Sequence, residues 1–228
     1  MISIIIPVLN EEAALPAFLQ QIKALEGDFE LLICDGGSTD KTVEVARGYD
    51  LANINLVETP RGRACQMNAG ARAASGDILL FLHADTYIGA DALTSIESAM
   101  REDAVAGGRF KVKLDNPAAP YRMIGALINV RDGIFGGFTG DQAIFVRKSV
   151  FEKMGGFKEI ELCEDIDLAV RLKDAGKVIR LPLYVITAAR RWEKKGLART
   201  ILLMWLIRLL FYARVSPKKL AAIYADVR

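Results

Sequence analysis

Four apolar runs in the first 85 residues constrain this chain more than any other feature: ISIIIPV, FELLIC, NINLVE and DILLFL. Each has the length of a strand rather than a helix, and each stops at a polar cluster. Segments with helical spacing separate them. Leu15, Phe18, Leu19, Ile22 and Leu25 recur at helical intervals, with Asn10 placed to cap that helix and Glu11 and Glu12 in its first turn. DGGSTD reads as a turn leading into a helix from about Asp40, and RACQMNAGARAAS as a third helix. Uninterrupted apolar runs are what a parallel sheet covered on both faces requires. The βαβαβαβ rhythm therefore predicts an α/β fold with a mostly parallel sheet flanked by helices. In such sheets ligands bind beyond the carboxyl ends of the strands. Those ends carry PVLNEE, DGGSTD, PRGR and His83-Ala84-Asp85.

The second half changes character. RFKVKL alternates, with Phe110, Val112 and Leu114 on one face, which predicts a half-exposed antiparallel strand. AAPYRMIGALINVRDG reads as a helix, FGGFTGDQ as a flexible glycine-rich loop and QAIFVR as a strand. EDIDLAVRLKDAG is a short helix stopped by Gly176, and KVIRLPLYVI a last strand. No internal repeat, linker or low-complexity tract interrupts the chain. One domain over residues 1–195 is expected, with a basic and apolar helical segment over residues 196–228.

Hydrophobic residues at 52% and charged residues at 25% argue against disorder. Three cysteines, Cys34, Cys65 and Cys163, show no zinc-type spacing and fit a reducing compartment better than a disulfide framework. The N-terminal run lacks a basic leader and ends at Pro7, so it reads as a strand rather than a signal peptide. No stretch of about 18 apolar residues is present to span a bilayer. A cytoplasmic protein is expected, free or peripheral on the inner membrane face. Charge is unevenly spread: residues 187–219 hold nine Lys or Arg against the single acid Glu193, on an otherwise acidic chain. A basic segment of that kind calls for an anionic partner such as a diphosphate, a membrane surface or a nucleic acid, or is simply a solvated face.

No GxGxxG follows the first strand, no GxxxxGK[ST] phosphate loop exists, and no GxSxG elbow accompanies the only histidine, His83. SIIIPVLNEE, DGGSTDKTVEVA, RGRACQMNAGA, LLFLHADT and CEDIDLAVRL, in that order, resemble family-2 glycosyltransferases of GT-A fold. The likeness is greatest to a small bacterial subgroup marked by PRGRxxQMNAGA, FLHADT, GDQAxFVR and RRWE. It covers roughly residues 2–192.

The resemblance implies roles. Pro7, Asn10, Glu11 and Asp35 match the positions that hold the base and ribose of a nucleotide-diphosphate sugar. Ionised carboxylates suit that task because they only accept hydrogen bonds. Arg63 and Asn68 match the segment flanking the donor, where an arginine can pair with phosphate; a plain surface arginine is the alternative. The family's metal motif, Asp-x-Asp, reads His83-Ala84-Asp85 here. The resemblance implies that Asp85 meets Mg²⁺ or Mn²⁺, with Ala84 beside it on the donor side. His83 is either a further ligand or a hydrogen-bonding group of the pocket. Glu164 and Asp165 match the pair that carries the catalytic base, although acids at a helix N-terminus also complement its dipole. Gly140, Asp141 and Gln142 match the acceptor side. Arg190, Arg191 and Trp192 match part of a QxxRW motif whose glutamine position is Ala188.

The resulting expectation is an inverting, metal-dependent glycosyltransferase that moves one sugar from a UDP-sugar, or a GDP-sugar, to a lipid or small-molecule acceptor, with no nucleic acid involved. A sugar-phosphate nucleotidyltransferase and a non-catalytic nucleotide-sugar scaffold are the rival readings. For the C-terminal segment two readings stand. It packs against the domain or a second copy, burying Leu202, Leu206, Leu209 and Leu210, or it lies on a membrane surface with its arginines reaching the headgroups.

Overall fold

The computed structural model describes residues 1–50, 53–135, 137–190, 193 and 196–226. An eight-stranded sheet runs through the molecule. The strands are β1 (Ile2–Val8), β2 (Phe29–Asp35), β3 (Ile54–Glu58), β4 (Ile78–Phe81), β5 (Thr86–Tyr87), β6 (Val105–Leu114), β7 (Ile144–Arg147) and β8 (Lys177–Thr187). Their order across the sheet is β3-β2-β1-β4-β7-β6-β8-β5. β3, β2, β1 and β4 are parallel, as the four apolar runs predict. The chain works outward from β1 to β3 and then returns to place β4 on the other side of β1. That reversal opens a crevice at the carboxyl ends of β1 and β4, where an open α/β sheet binds its ligand.

The alternating strand β6 lies antiparallel to β7 but parallel to β8. Its buried Phe110 and Val112 face the core, while Lys113 faces solvent. The helices are α1 (Leu15–Ile22), α2 (Thr42–Gly48), α3 (Arg63–Ala73), α4 (Ala92–Met100), α5 (Ala119–Phe135), α6 (Lys148–Lys153), α7 (Glu164–Ala175), α8 (Leu197–Tyr212) and α9 (Pro217–Asp226). On one face of the sheet Phe18, Leu19, Leu93, Ile96 and Ile124 pack with Ile2, Ile4 and Ile6 of β1. On the other, Met67, Ala71, Phe151, Leu168 and Leu172 pack against Ile5 and Leu32. β1 is thus buried on both sides, which explains a run without alternation.

Three local expectations give way. Asn10 does not cap α1: the helix starts at Leu15 behind Ala14, and no side chain caps it. The C-terminal segment is two helices rather than one: α8 ends at Tyr212, and Arg214 just beyond it turns the chain in the left-handed region (φ 62°). Packing of α8 on its own domain does not bury Leu202, Leu206 and Leu209, which are exposed, whereas Leu210 packs with the buried Ile207, and Arg208 and Thr200 are buried too. Among the described residues, no helix is long and apolar enough to cross a membrane.

Candidate active site

The first rim of the crevice is a lattice of side chains bonded to backbone. Past β1 the chain turns at Asn10, whose φ of 55° is tolerable for an asparagine. Its N–H donates to Ser38 Oγ (2.9 Å), and its Oδ1 accepts the Thr39 N–H (2.8 Å). The Glu11 N–H donates to Thr42 Oγ1 (2.7 Å), and the Glu12 carboxylate accepts the Lys41 N–H (3.0 Å). These bonds lace the β1–α1 loop to the β2–α2 loop. Asp35, buried at the end of β2, accepts from the Gly37 N–H (3.0 Å) and from the Ser38 N–H and hydroxyl (3.1 and 2.5 Å). Pro7 pairs with Cys34 across the two strands.

Behind this rim stands a residue to which sequence reasoning gave no role. Gln66 of α3 is buried and donates through Nε2 to the carbonyls of Val8 (2.7 Å) and Cys34 (2.8 Å), tying together the ends of β1 and β2. Its place in the RGRACQMNAGA motif was its signal in the sequence. A Cβ added at Gly70 would stand 2.5 Å from Ile5 Cγ2 and 2.6 Å from Cys34 Sγ, so a glycine there lets α3 lie this close to the sheet. Asn68 exchanges two bonds with the Phe157 backbone (2.8 and 2.9 Å) and fixes the loop ahead of α7.

A cleft lined by Arg63, Met67, Phe81, His83, Gly140, Ile144, Phe157, Glu164 and Asp165 opens beside it. Arg63 opens α3 and Glu164 opens α7, after Cys163 turns the chain with a φ of 69°. Arg63 Nη1 lies 3.6 Å from Glu164 Oε1. Burial, and then the charge of Asp165, push the Glu164 carboxyl up to about 7, with Arg63 opposing. Asp165 accepts the Ile166 N–H through Oδ1 (2.7 Å) and the Gly140 N–H through Oδ2 (2.8 Å). Donors thus meet both Asp165 oxygens, and burial beside that carboxylate favours the protonated form of Glu164. The third acid of this helix turn, Asp167, is structural: it pairs with Arg171 (2.6 Å) and Lys158 (2.7 Å).

Glu11 shows which charges converge at the strand ends. Its carboxyl is raised by burial, then by the charge of Asp85, and lowered by Arg190 and Arg63. Residues following β1, β4 and β8 and the start of α3 are therefore within electrostatic reach of one another. Ala84 is buried, with its methyl group in the core. His83 faces the glycine-rich loop: a Cβ on Gly140 would lie 2.9 Å from its Nε2. Among the described residues, no three His, Cys, Asp or Glu side chains converge to cage a metal. Asp85 beside Glu11 does fit the way Mg²⁺ is held, by one or two carboxylates with the remaining ligands from phosphate and water.

The Glycosyl transferase family 2 profile matches residues 3–155. The chain belongs to glycosyltransferase family 2. The PGL/p-HBAD biosynthesis glycosyltransferase of Mycobacterium bovis (strain BCG / Pasteur 1173P2) is 32% identical over 212 residues, covering 88% of this chain and 80% of its own. The beta-monoglucosyldiacylglycerol synthase of Nostoc sp. (strain PCC 7120) is 24% identical over 190 residues, covering 75% of this chain and 41% of its own. Among solved structures, the mannosyltransferase PcManGT from Pyrobaculum calidifontis in complex with GDP-Man and Mn²⁺ superposes with a TM-score of 0.70 at 22% identity, over 99% of this chain and 69% of that one. S. aureus TarS 1-349 in complex with UDP-GlcNAc gives 0.67 at 18% identity, over 82% of this chain and 58% of that one. These likenesses establish the GT-A type of fold.

The second rim of this glycosyltransferase is a glycine-rich loop, and it is anchored residue by residue rather than loose. The Gly137 carbonyl accepts from Arg208 Nη1 of α8 (3.1 Å). Phe138 is fully buried under the Arg109 guanidinium, 5.1 Å from its ring centre. Thr139 caps a single 3₁₀ turn, Gly140–Gln142, bonding Asp141 and accepting and donating with Gln142. Gln142 is buried, its Nε2 turned to the Phe110 carbonyl (3.4 Å), so of the three residues Gly140 is the one that lines the cleft. Neither Arg109 nor Arg208 was legible as part of this rim. Arg190 is exposed, and Arg191 and Trp192 lie outside the described residues.

Proposed function

We propose that this chain transfers one sugar, with inversion, from a UDP-sugar to a lipid or small-molecule acceptor. The observation that carries the reading is the meeting of Glu11, Asp85, Arg63 and Arg190 within one field at the carboxyl ends of the parallel strands, beside the Glu164–Asp165 pair. The laced rim of Pro7, Asn10, Glu11 and Asp35 takes the base and ribose, with Asn68 behind it holding the Phe157 loop. Arg63 and Arg190 face the diphosphate, where guanidinium forks match phosphate oxygens. Asp85 and the donor's own phosphates would hold Mg²⁺ or Mn²⁺, which neutralises charge on the leaving diphosphate. Asp165, reached from the cleft, takes the acceptor proton as the acceptor oxygen attacks the anomeric carbon. Glu164 and Arg63 set the charge around it, and Gly140 fixes the carboxylate's direction.

The name of one relative, beta-monoglucosyldiacylglycerol synthase, supports an acceptor of lipid character, and neighbours in complex with UDP-GlcNAc and GDP-Man support a nucleotide-sugar donor. Calorimetry with UDP tests the donor site. Binding is expected to tighten with Mn²⁺ over EDTA, and Asp85→Ala to lose most of that increment. Metal-independent UDP binding by the parent protein removes the role given to Asp85, and no UDP binding under either condition removes the donor reading.

A further inference from the structure

α8 is apolar on the side that faces water. Leu202, Trp205, Leu206, Leu209 and Tyr212 are 70%, 53%, 45%, 67% and 50% exposed. At about 100° per residue they fall within an arc of roughly 120°. Its inner side packs Leu203, Ile207, Leu210 and Phe211 in one cluster with Ile166 and Leu220, and Thr200 and Arg208 are buried too. A helix of a free-standing domain turns its apolar stripe inward. Here the outward stripe is apolar as well as the inner one, and a contiguous patch of that kind marks a surface made to be covered.

Charge selects what covers it. Every charged residue from 196 to 219 is a cation: Arg199, Arg208, Arg214, Lys218 and Lys219. All but Arg208 are exposed. A second copy would set this cationic face against itself, because a two-fold contact uses the same patch twice. An anionic bilayer satisfies both features, taking the apolar side chains below the headgroups and the cations among them. Trp and Tyr are the residues enriched at that boundary. We propose that α8 lies in the surface of an anionic membrane and holds the enzyme there. α5 shows the same signature on a smaller scale, exposing Met123, Leu127 and Val130 at spacings of four and three. The loop after α5 meets Arg208 and Tyr212 of α8 at Gly137, where the acceptor rim begins. The docked helix thus sits beside the acceptor side of the cleft, a consequence that rests on the glycosyl-transfer reading; the docking itself does not.

The full chain is tested by co-sedimentation with vesicles of phosphatidylglycerol and phosphatidylcholine. Binding is expected to weaken in high salt and to be lost with phosphatidylcholine alone. The double variant Leu202→Glu/Leu209→Glu is expected to lose about tenfold or more in vesicle affinity, with an unchanged melting curve. In Trp192→Phe protein, where Trp205 is the remaining tryptophan, emission is expected to shift to the blue when anionic vesicles are added. A parent protein that ignores anionic vesicles, or a double variant that still binds them like the parent, overturns the proposal. So does a double variant that turns a dimer into a monomer in the ultracentrifuge, since the stripe is then a contact between copies. UDP binding measured without vesicles reports on the donor site alone, which keeps the two failures apart.

Discussion

On the β1–β2 rim, the loops are held by Asn10, Asp35, Ser38, Asp40 and Thr42, short polar side chains that bond to backbone close by in space and lie in two polar clusters of sequence. On the other rim, Thr139, Asp141 and Gln142 close one turn of the loop from Gly137 to Gln142, but its position is set from outside. Two guanidiniums, Arg109 and Arg208, and the Asp165 carboxylate hold it from β6, α8 and α7. The first rim is self-supporting and suits a site that recognises the constant part of a donor. The second takes its shape from distant elements, so changes in α7 or α8 are expected to reach the second rim without touching the first. Substitutions that separate the two rims test this contrast.

The largest separation is expected from Asp165→Asn. The change keeps the outline of the side chain but removes the proposed base and one of the two oxygens that accept the Ile166 and Gly140 N–H groups, so transfer falls about 10²–10⁴-fold or more, the usual contribution of a positioned base being the lower part of the loss. UDP affinity, which the proposal assigns to the first rim, is expected to stay near that of the parent. Kinetics with a competent acceptor, paired with calorimetry, measure both. Near-normal transfer shifts the base to Glu164.

Glu164→Gln acts on stability through pH. The folded-state pKa is raised to about 7 from an ordinary 4.5, so between those values the folded state holds a proton that the unfolded state has released. Stability therefore falls as pH rises from about 4.5 to about 7, by about 3 kcal/mol across the window. The glutamine variant is expected to flatten that fall and to exceed the parent in melting temperature above pH 7. Thermal melts at pH 5 and pH 8 decide it, and equal slopes for parent and variant refute the assignment.

Gln66→Leu attacks the first rim from beneath. The two bonds to Val8 and Cys34 vanish from a buried place, and a loss of about 1–2 kcal/mol is expected. UDP binding should weaken with it, because the β1 and β2 ends are no longer tied. A variant destabilised in urea but with parental UDP affinity would show that the rim holds its shape without this crosslink.

The parallel strands were readable because unbroken apolar runs have one good use, burial on both faces, and PVLNEE and DGGSTD were readable because they end such strands. Asn10 misled as a helix cap. Its side chain serves Thr39 in the neighbouring loop instead, a pairing that depends on β1 and β2 lying side by side. His83 and Asp165 could be named from motif order, but that both address Gly140 is visible only in three dimensions. The outward face of α8 was hidden for a related reason. A helix apolar all round gives no stripe to read, and the leucines expected inside, Leu202, Leu206 and Leu209, are those left outside. What decides the orientation is Arg208, whose buried guanidinium fixes which side faces the loop.

Arg208 therefore carries the smallest but most diagnostic expectation. Its Nη1 holds the Gly137 carbonyl, and its buried Nη2 has no hydrogen-bond partner. Arg208→Met keeps much of the apolar stem and removes the bond, at about 1 kcal/mol of stability. If the arginine only packs α8, melting temperature drops slightly and turnover stays as it was. If it positions the second rim, turnover drops several-fold through a loosened Gly140–Asp165 contact, UDP affinity is unchanged, and Arg208→Lys recovers part of the loss by donating to the same carbonyl. A fall in kcat with unchanged donor affinity is the signature of the second outcome. A fall in UDP affinity instead would show that the two rims are not independent.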